Sequence, residues 1–199
     1  MSVKQIDATG KACPIPVIEA KKALAGDDAT GASVRVDNII AVQNLEKMAS
    51  GYGYGFSYSE GEGGIFTAMI SKGPGAAGQP APFERAPGKK PVVLISSDTL
   101  GNGEQELGKI LMKGFIYSLT ELAETPSAVI FINRGAFLTA AGANTVPDIT
   151  VLAEKGAEVL TCGTCSKYYG LAESLACGQI TDMFGIVERL AAAGSVISL

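Results

Sequence analysis

Residues 10–24, GKACPIPVIEAKKAL, place a cysteine and two prolines directly before a segment with the apolar spacing of a helix. Val17, Ala20 and Leu24 fall on one stripe of that helix. Proline suits the first helical turn, because its missing N–H has no intrahelical partner there. We therefore predict a helix that begins after Cys13, with Cys13 at its N-cap.

An N-cap position would make Cys13 reactive. There the sulfur faces unpaired backbone N–H groups and the positive end of the helix dipole, which favours the nucleophilic thiolate. Pro14 and Pro16 would fix the path of the loop and keep it from folding over the sulfur. The alternative is a structural cysteine that happens to precede a helix.

The segments around this helix predict a small domain over residues 1–72. A strand at 3–8 precedes the helix, a second strand at 32–38 follows it, and a second helix spans 40–50. FSYSE and GIFTAMIS, separated by GEG, predict a β-hairpin. The resulting order is βαβαββ, a two-layer sandwich of one sheet and two helices.

A composition change separates this domain from the rest of the chain. Residues 73–90, GPGAAGQPAPFERAPGKK, contain four glycines and four prolines. A core helix or strand does not tolerate that density, so we predict a linker. Residues 91–199 then form a second domain.

Apolar strands alternate with helices in residues 91–199. PVVLISSD at 91–98 is a continuous apolar run of the kind found in buried parallel strands. The alternation predicts a doubly wound parallel-sheet α/β/α domain. Further strands are predicted at 127–133, 157–161 and 195–199, and helices at 147–155, 165–176, 181–192 and along an apolar face made by Leu107, Ile110, Leu111, Phe115, Leu119 and Leu122.

Parallel sheets form their sites where the strands end, at the carboxyl edge. Residues 96–98, 133–135 and 161–165 should therefore meet in one crevice. The glycines of SSDTLGNGEQELG precede a helix, but the stretch is neither a P-loop nor a dinucleotide motif, and it lacks a phosphate-binding lysine. A helix start capped by Asn102 is the favoured interpretation. The predicted crevice-lining residues are Ser97, Asp98, Gly101, Asn102, Gly103, Asn133 and Gly135.

Cys162 and Cys165 form a Cys-x-x-Cys motif between a predicted strand and a predicted helix. This geometry suits thiol exchange. A zinc ribbon would need two such pairs, so we predict no metal site. The alternative is a pair of buried thiols without function. Cys177 is interpreted as a small apolar residue.

Composition excludes several function classes. The chain has no histidine, which rules out Ser-His-Asp triads, Cys-His dyads and histidine metal sites. Its net charge of −4 argues against nucleic-acid and anionic-membrane partners. Because no apolar run approaches the ~18 residues of a membrane span and the N-terminus lacks a signal-peptide pattern, we expect a cytoplasmic protein. Thiols are kept reduced in the cytoplasm, so the four cysteines indicate catalysis, redox chemistry or metal binding in preference to structural disulfides.

The stretch DATGKACPIPVIEAKKAL, residues 7–24, resembles the signature of the TusA (SirA-like) family of small sulfur carriers. In that family a Cys-Pro-x-Pro motif carries a persulfide. The resemblance covers residues 3–72 and implies that Cys13 is the sulfur-carrying residue. Asp7 and Gly10 precede the motif, and the resemblance implies that they shape the loop together with the two prolines.

The second half resembles the DsrE/DsrF-like sulfur-transfer fold. The stretches that carry this resemblance are SSDTLGNGEQELGKILMKGF, FINRG and EVLTCGTCSKYYGL. The pairing of the two domains resembles the YedF family, sulfurtransferase-like proteins associated with selenium metabolism. The DsrE-like fold implies a homo-oligomer formed through the second domain.

Together these features predict a sulfur or selenium carrier or transferase. Cys13 thiolate would take the outer atom of a donor persulfide, and transfer to Cys162 or Cys165 would follow, with the other cysteine resolving the product. The group travels covalently on cysteine, so no organic cofactor is needed. The implied partners are a persulfide donor such as a cysteine desulfurase and a downstream thiol acceptor. The alternatives are a regulatory or binding module without turnover and a dithiol oxidoreductase.

Overall fold

The computed structural model of the chain describes residues 2–73 and 90–199. The chain divides into two compact units, residues 1–85 and 86–199. Apart from its two end residues, the predicted linker at 73–90 lies outside the described residues, so the boundaries at 72 and 91 stay predictions. None of the helices in the two described ranges has the length and apolar character that crossing a bilayer requires.

The first unit has the predicted βαβαββ order, with four strands in one sheet. The sheet order is β1-β2-β4-β3, in which β1 and β2 are parallel and the other neighbours are antiparallel. Its elements are β1 (Ser2–Asp7), α1 (Ile15–Ala25), β2 (Ala29–Val36), α2 (Ile39–Gly51), β3 (Gly55–Glu60) and β4 (Phe66–Ser71), with a short 3₁₀ turn at Glu62–Gly64.

One apolar core joins both helices of the first unit to the sheet. Leu24 of α1 and Leu45 of α2 are buried in it together with Val34 and Ile70 from the strands. The second helix begins after Asn38, whose side-chain oxygen accepts a hydrogen bond from the backbone N–H of Ala41 at 2.8 Å. Such a cap satisfies one of the free N–H groups of the first turn. The packing leaves the loop before α1 at the surface.

The second unit is a five-stranded parallel sheet between helices, as predicted for a doubly wound domain. Its strand order is β8-β7-β6-β5-β9. One apolar layer contains residues of α3 and α4, and the other contains residues of α6. The elements are β5 (Val92–Ile95), α3 (Gln105–Thr120), β6 (Ala128–Phe131), a 3₁₀ segment (Asn133–Thr139), α4 (Val146–Glu154), β7 (Glu158–Cys162), α5 (Gly163–Tyr168), β8 (Gln179–Thr181), α6 (Met183–Ala192) and β9 (Val196–Ser198).

The predicted apolar face of α3 is correct for Leu119, which is buried, and for Phe115, which packs partly buried against the core, but it is wrong for the first half of the helix. Leu107, Ile110 and Leu111 are 53%, 59% and 45% exposed. The cause is the close approach of Gly108 to the loop after β5, where an added Cβ would lie 2.9 Å from the Cβ of Thr99. This contact fixes the rotation of the helix. Its buried residues are Gly108, Met112, Ile116, Leu119 and Thr120, while Leu122, beyond the helix, is also exposed.

The predicted helix at 165–176 exists but is too long, since α5 spans Gly163–Tyr168. Gly170 has a φ of +68°, and the N–H groups of Gly170 and Leu171 donate to the carbonyls of Lys167 and Ser166. These are the two hydrogen bonds of a Schellman motif, which ends a helix at a left-handed glycine. The sequence prediction also missed β8, a strand of three residues before α6.

Candidate functional site

Cys13 lies exposed in the loop between β1 and α1. The prediction that it is the N-cap is wrong by one residue, because the carbonyl of Pro14 accepts the first helical hydrogen bond, from the N–H of Ile18 at 3.2 Å. Pro16 occupies the first turn. The Cys13–Pro14 peptide is cis, and the N–H of Ile15 donates to the carbonyl of Ala12 at 3.0 Å. Cys13 thus sits at the centre of a closed turn.

Two carboxylates hold the start of this loop. Asp7 at the end of β1 accepts hydrogen bonds from the hydroxyl and the N–H of Thr9, at 2.7 and 3.1 Å. These bonds, with a smaller contribution from Arg35, hold the pKa of Asp7 below its ordinary value. Gly10, with a φ of +73°, donates its N–H to Asp37 at 2.6 Å, which likewise lowers the pKa of Asp37. Sequence reasoning did not identify Asp37.

A shallow cavity borders the sulfur of Cys13. It is lined by residues of the loop, of α1 and of α2, among them Lys11, Ile40 and Asn44. The Nδ2 atom of Asn44 donates to the sulfur of Cys13 at 3.7 Å. Lys11 is held by Glu19 of α1 at 2.6 Å. An accessible thiol with an amide donor beside it can accept and hold an additional sulfur atom. Asn44 stands 31 positions from Cys13, and no sequence pattern links the two.

In the second unit the ends of β5 and β6 meet through an ion pair. Arg134 donates from Nε and Nη2 to the two oxygens of Asp98, both at 2.8 Å. This bidentate contact lowers the pKa of Asp98, chiefly through the hydrogen bonds from Arg134. Ser97 accepts a hydrogen bond from the N–H of Thr99 at 3.2 Å and so shapes the same turn. Arg134 was missed, although it lies inside the predicted 133–135 segment.

The ends of β6 and β7 meet at Cys165. The backbone N–H of Asn133 donates to the sulfur of Cys165 at 3.0 Å, and the side-chain oxygen of Asn133 accepts from the hydroxyl of Tyr169 at 2.7 Å. Gly135 makes this possible, since a Cβ there would lie 2.3 Å from the carbonyl oxygen of Ile95. Asn133 and Cys165, predicted to share a carboxyl-edge crevice, are therefore in contact.

The two cysteines of the Cys-x-x-Cys motif differ in exposure. Cys162 is 1% exposed, whereas Cys165 is half-buried. Burial raises the pKa of the Cys165 thiol, the N–H of Asn133 partly offsets this, and the neighbouring Cys162 thiol raises it further. Burial raises the pKa of Cys177 to about 11, in keeping with an unreactive side chain. All four cysteines are free thiols.

The loop between β5 and α3 differs from its prediction. The N-cap of α3 is Glu104, and Gly108 donates to the Glu104 carbonyl at 2.9 Å. Asn102 therefore does not cap the helix. Gly101 and Gly103 are exposed, and a Cβ at either would meet open space. Across the described ranges, acidic and cysteine side chains do not gather into a group of three that could hold a metal.

Comparisons with known proteins identify the first unit. A family model described as sulfurtransferase TusA matches residues 4–72. A solved SirA-like protein from Desulfitobacterium hafniense is 49% identical over 36% of this chain and 99% of its own, with a TM-score of 0.34.

The ychN protein from E. coli is 14% identical over 55% of this chain and 99% of its own, with a TM-score of 0.45. A comparison with curated proteins found no match. The DsrE/DsrF-like fold and the YedF pairing remain predictions. The family match and the 49% identity over nearly the whole SirA-like chain show that this chain, through its residues 4–72, belongs to the TusA sulfurtransferase family.

Proposed function

We propose that the protein carries sulfur as a persulfide on Cys13 and passes it to a thiol acceptor. The observation that carries this proposal is the exposed Cys13 in the Cys-Pro-x-Pro loop of a TusA-family unit. The closed turn from Ala12 to Ile15 and the carboxylates of Asp7 and Asp37 keep the thiol at the surface. A carrier needs such exposure, because donor and acceptor must both reach the sulfur.

Loading is a thiol exchange that needs no cofactor. The Cys13 thiolate attacks the outer sulfur of a donor persulfide, such as that of a cysteine desulfurase. A Cys13 persulfide forms, the donor S–S bond breaks, and the donor leaves as a thiolate. The amide of Asn44 at 3.7 Å can donate to the sulfur before and after loading. A donor perselenide would load selenium by the same step.

The pair Cys162 and Cys165 is the acceptor within this chain. Transfer gives a Cys165 persulfide and returns Cys13 to a thiolate. Attack of Cys162 on the inner sulfur of that persulfide then forms the Cys162–Cys165 disulfide and releases hydrogen sulfide. A small thiol or dithiol reductant restores the two free thiols. The neighbouring positions of the two thiols support this order of steps.

The proposal also covers the setting of the relay. A reduced thiol carrier is suited to the cytoplasm, where thiols are kept reduced. Leu107, Ile110 and Leu111 of α3 expose apolar surface in a single chain. That surface supports a homo-oligomer formed through the second unit, since exposed apolar patches mark interaction sites.

A dithiol oxidoreductase is the second candidate, because Cys162 and Cys165 are neighbours and Cys165 is accessible. In that case disulfide reduction would survive Cys13→Ser. A binding or regulatory module without turnover would show neither activity.

Mass spectrometry of the whole chain after incubation with a persulfide donor tests the proposal. We expect an adduct of about 32 Da, one sulfur atom, on the peptide that contains Cys13. Cys13→Ser should abolish loading, whereas the matched control Cys177→Ser should retain it. Equal loading of Cys13→Ser and the unmodified chain would contradict the proposal.

A further inference from the structure

The structure assigns the exchanging thiol of the second unit to Cys165, and we propose that the backbone N–H of Asn133 is the donor that stabilises the anionic form of its sulfur against the burial that disfavours it. Cys162 then serves as the resolving thiol. This inference rests on the proposed function, since it names the acceptor in the relay. The N–H acts on a sulfur anion as the donors of an oxyanion hole act on oxygen.

The backbone of Asn133 is set in an unusual conformation to make this contact. Its φ of +48° makes it the one non-glycine residue with positive φ in the described ranges. Asparagine tolerates this left-handed region better than most side chains. The N–H points at the sulfur of Cys165 with a nitrogen–sulfur distance of 3.0 Å.

Contacts on both sides hold Asn133 in place. On one side, the N–H of Ile132 donates to the carbonyl of Ile95 at 3.0 Å, and the N–H of Gly135 donates to the carbonyl of Ile132 at 2.9 Å. On the other side, the hydroxyl of Tyr169 donates to the Asn133 side chain at 2.7 Å. The donor is therefore positioned before any sulfur arrives.

Exposure separates the roles of the two cysteines. Cys165 is half-buried and can meet a carrier persulfide, whereas Cys162 is 1% exposed and cannot. Of the described titratable groups, Cys162 is the one whose charge acts on the Cys165 thiol. The nearby guanidinium of Arg134 is held by Asp98. Two backbone N–H groups favour the anion, and that of Asn133 contributes more than that of Cys165 itself.

The transfer step balances without a further reactant. The Cys165 thiolate attacks the outer sulfur of the Cys13 persulfide, and the new S–S bond makes a Cys165 persulfide. The old S–S bond breaks, and its electron pair leaves on the Cys13 thiolate.

Two substitutions at one position test the backbone contact in the full-length chain. Asn133→Gly and Asn133→Ala both remove the side-chain amide, but glycine keeps the left-handed backbone at little cost while alanine disfavours it. We expect Asn133→Ala to slow iodoacetamide labelling of Cys165 at pH 8 by about three- to tenfold, because loss of the N–H raises the pKa of the thiol further. Asn133→Gly also loses the contact with Tyr169 but keeps the left-handed backbone, so Cys165 should label at least about threefold faster in Asn133→Gly than in Asn133→Ala.

The labelling rate of each cysteine, measured on separate peptides from pH 7 to 10, distinguishes a raised pKa of Cys165 from a general destabilisation of the second unit. Cys177 is the internal control, because a general destabilisation would also expose its thiol. A shift confined to Cys165 supports the inference. Equal behaviour of Asn133→Gly and Asn133→Ala, or equal acceleration of Cys165 and Cys177, would overturn it.

Sulfur mapping separates this inference from the proposed function. If Cys13 loads and the sulfur then appears on Cys165, both stand. Cys165→Ser gives the opposite case. If Cys13 loads and sulfur reaches Cys162 in this variant as fast as it reaches Cys165 in the unmodified chain, the inference fails and the carrier proposal survives. If Cys13 does not load, the carrier proposal fails, and with it the assignment of Cys165 as its acceptor.

Discussion

Replacing Gly135 with alanine should destabilise the second unit, because this glycine allows the segment after β6 to reach the end of β5. An added Cβ would lie 2.3 Å from the carbonyl oxygen of Ile95 and 3.0 Å from its carbonyl carbon. Both obstacles are backbone atoms, so no side-chain rotation relieves them. The same oxygen accepts the N–H of Ile132 at 3.0 Å, and the displacement weakens that hydrogen bond too.

Overpacking of this kind costs about 1–3 kcal/mol, and the backbone obstacle puts Gly135→Ala near 3 kcal/mol. For a unit of this size that corresponds to a fall of about 10 °C in the melting temperature. Gly103→Ala is the matched control, since its Cβ would meet open space. Scanning calorimetry of the full-length proteins measures both.

If Gly135→Ala and Gly103→Ala melt within about 2 °C of each other, the close approach does not set the stability of this edge. The substitution should also move Asn133 away from Cys165, so labelling of Cys165 provides a second readout that the melting temperature does not.

Three further predictions concern buried and paired groups. Arg134→Gln should lower the free energy of unfolding by at most about 1 kcal/mol at pH 7, since Arg134 is half exposed. The pKa of Asp98 is depressed in the folded chain, so this contribution is fully present above the ordinary aspartate pKa of about 4 and is lost as the pH falls through the lower folded-state value. Urea unfolding at pH 7 and at a series of pH values below 4 should show the difference between the two proteins shrink as the pH falls. Met112→Ala should lower the free energy of unfolding, measured in urea, by about 3 kcal/mol, because Met112 is buried. Leu107→Ala should lower it by less than about 0.5 kcal/mol, because Leu107 is exposed. The reverse order would show that Leu107 lies on the buried face of α3. Labelling of Cys177 should accelerate about tenfold per pH unit toward its pKa of about 11, and a plateau below pH 9 would contradict its burial.

The sequence predicted features that depend on local pattern. The βαβαββ order of the first unit, and the alternation of strands and helices in the second unit, follow from apolar periodicity and from glycine or proline at the segment ends. The meeting of Asn133 with Cys165 follows from a general property of parallel sheets, whose strand ends share one edge.

Features that depend on tertiary contact were missed. The rotation of α3 is fixed by the approach of Gly108 to Thr99, whereas the leucines of the helix satisfied the apolar pattern equally well on another face. Asn44 and Asp37 reach the Cys13 loop from distant positions. Polar residues of these types also occur on solvated surfaces, so their spacing carried no signal.

The position of β5 has a consequence for the growing chain. Its neighbours in the sheet are β6 and β9, and about 100 residues separate the end of β5 from the start of β9. At the usual rate of synthesis, about 5–20 residues per second, one edge of β5 waits roughly 5–20 s for its partner. The first sheet is complete once β4 has left the ribosome. Stalled or truncated translation products that end before β9 therefore present an apolar strand edge, the kind of surface that chaperones must cover to prevent aggregation.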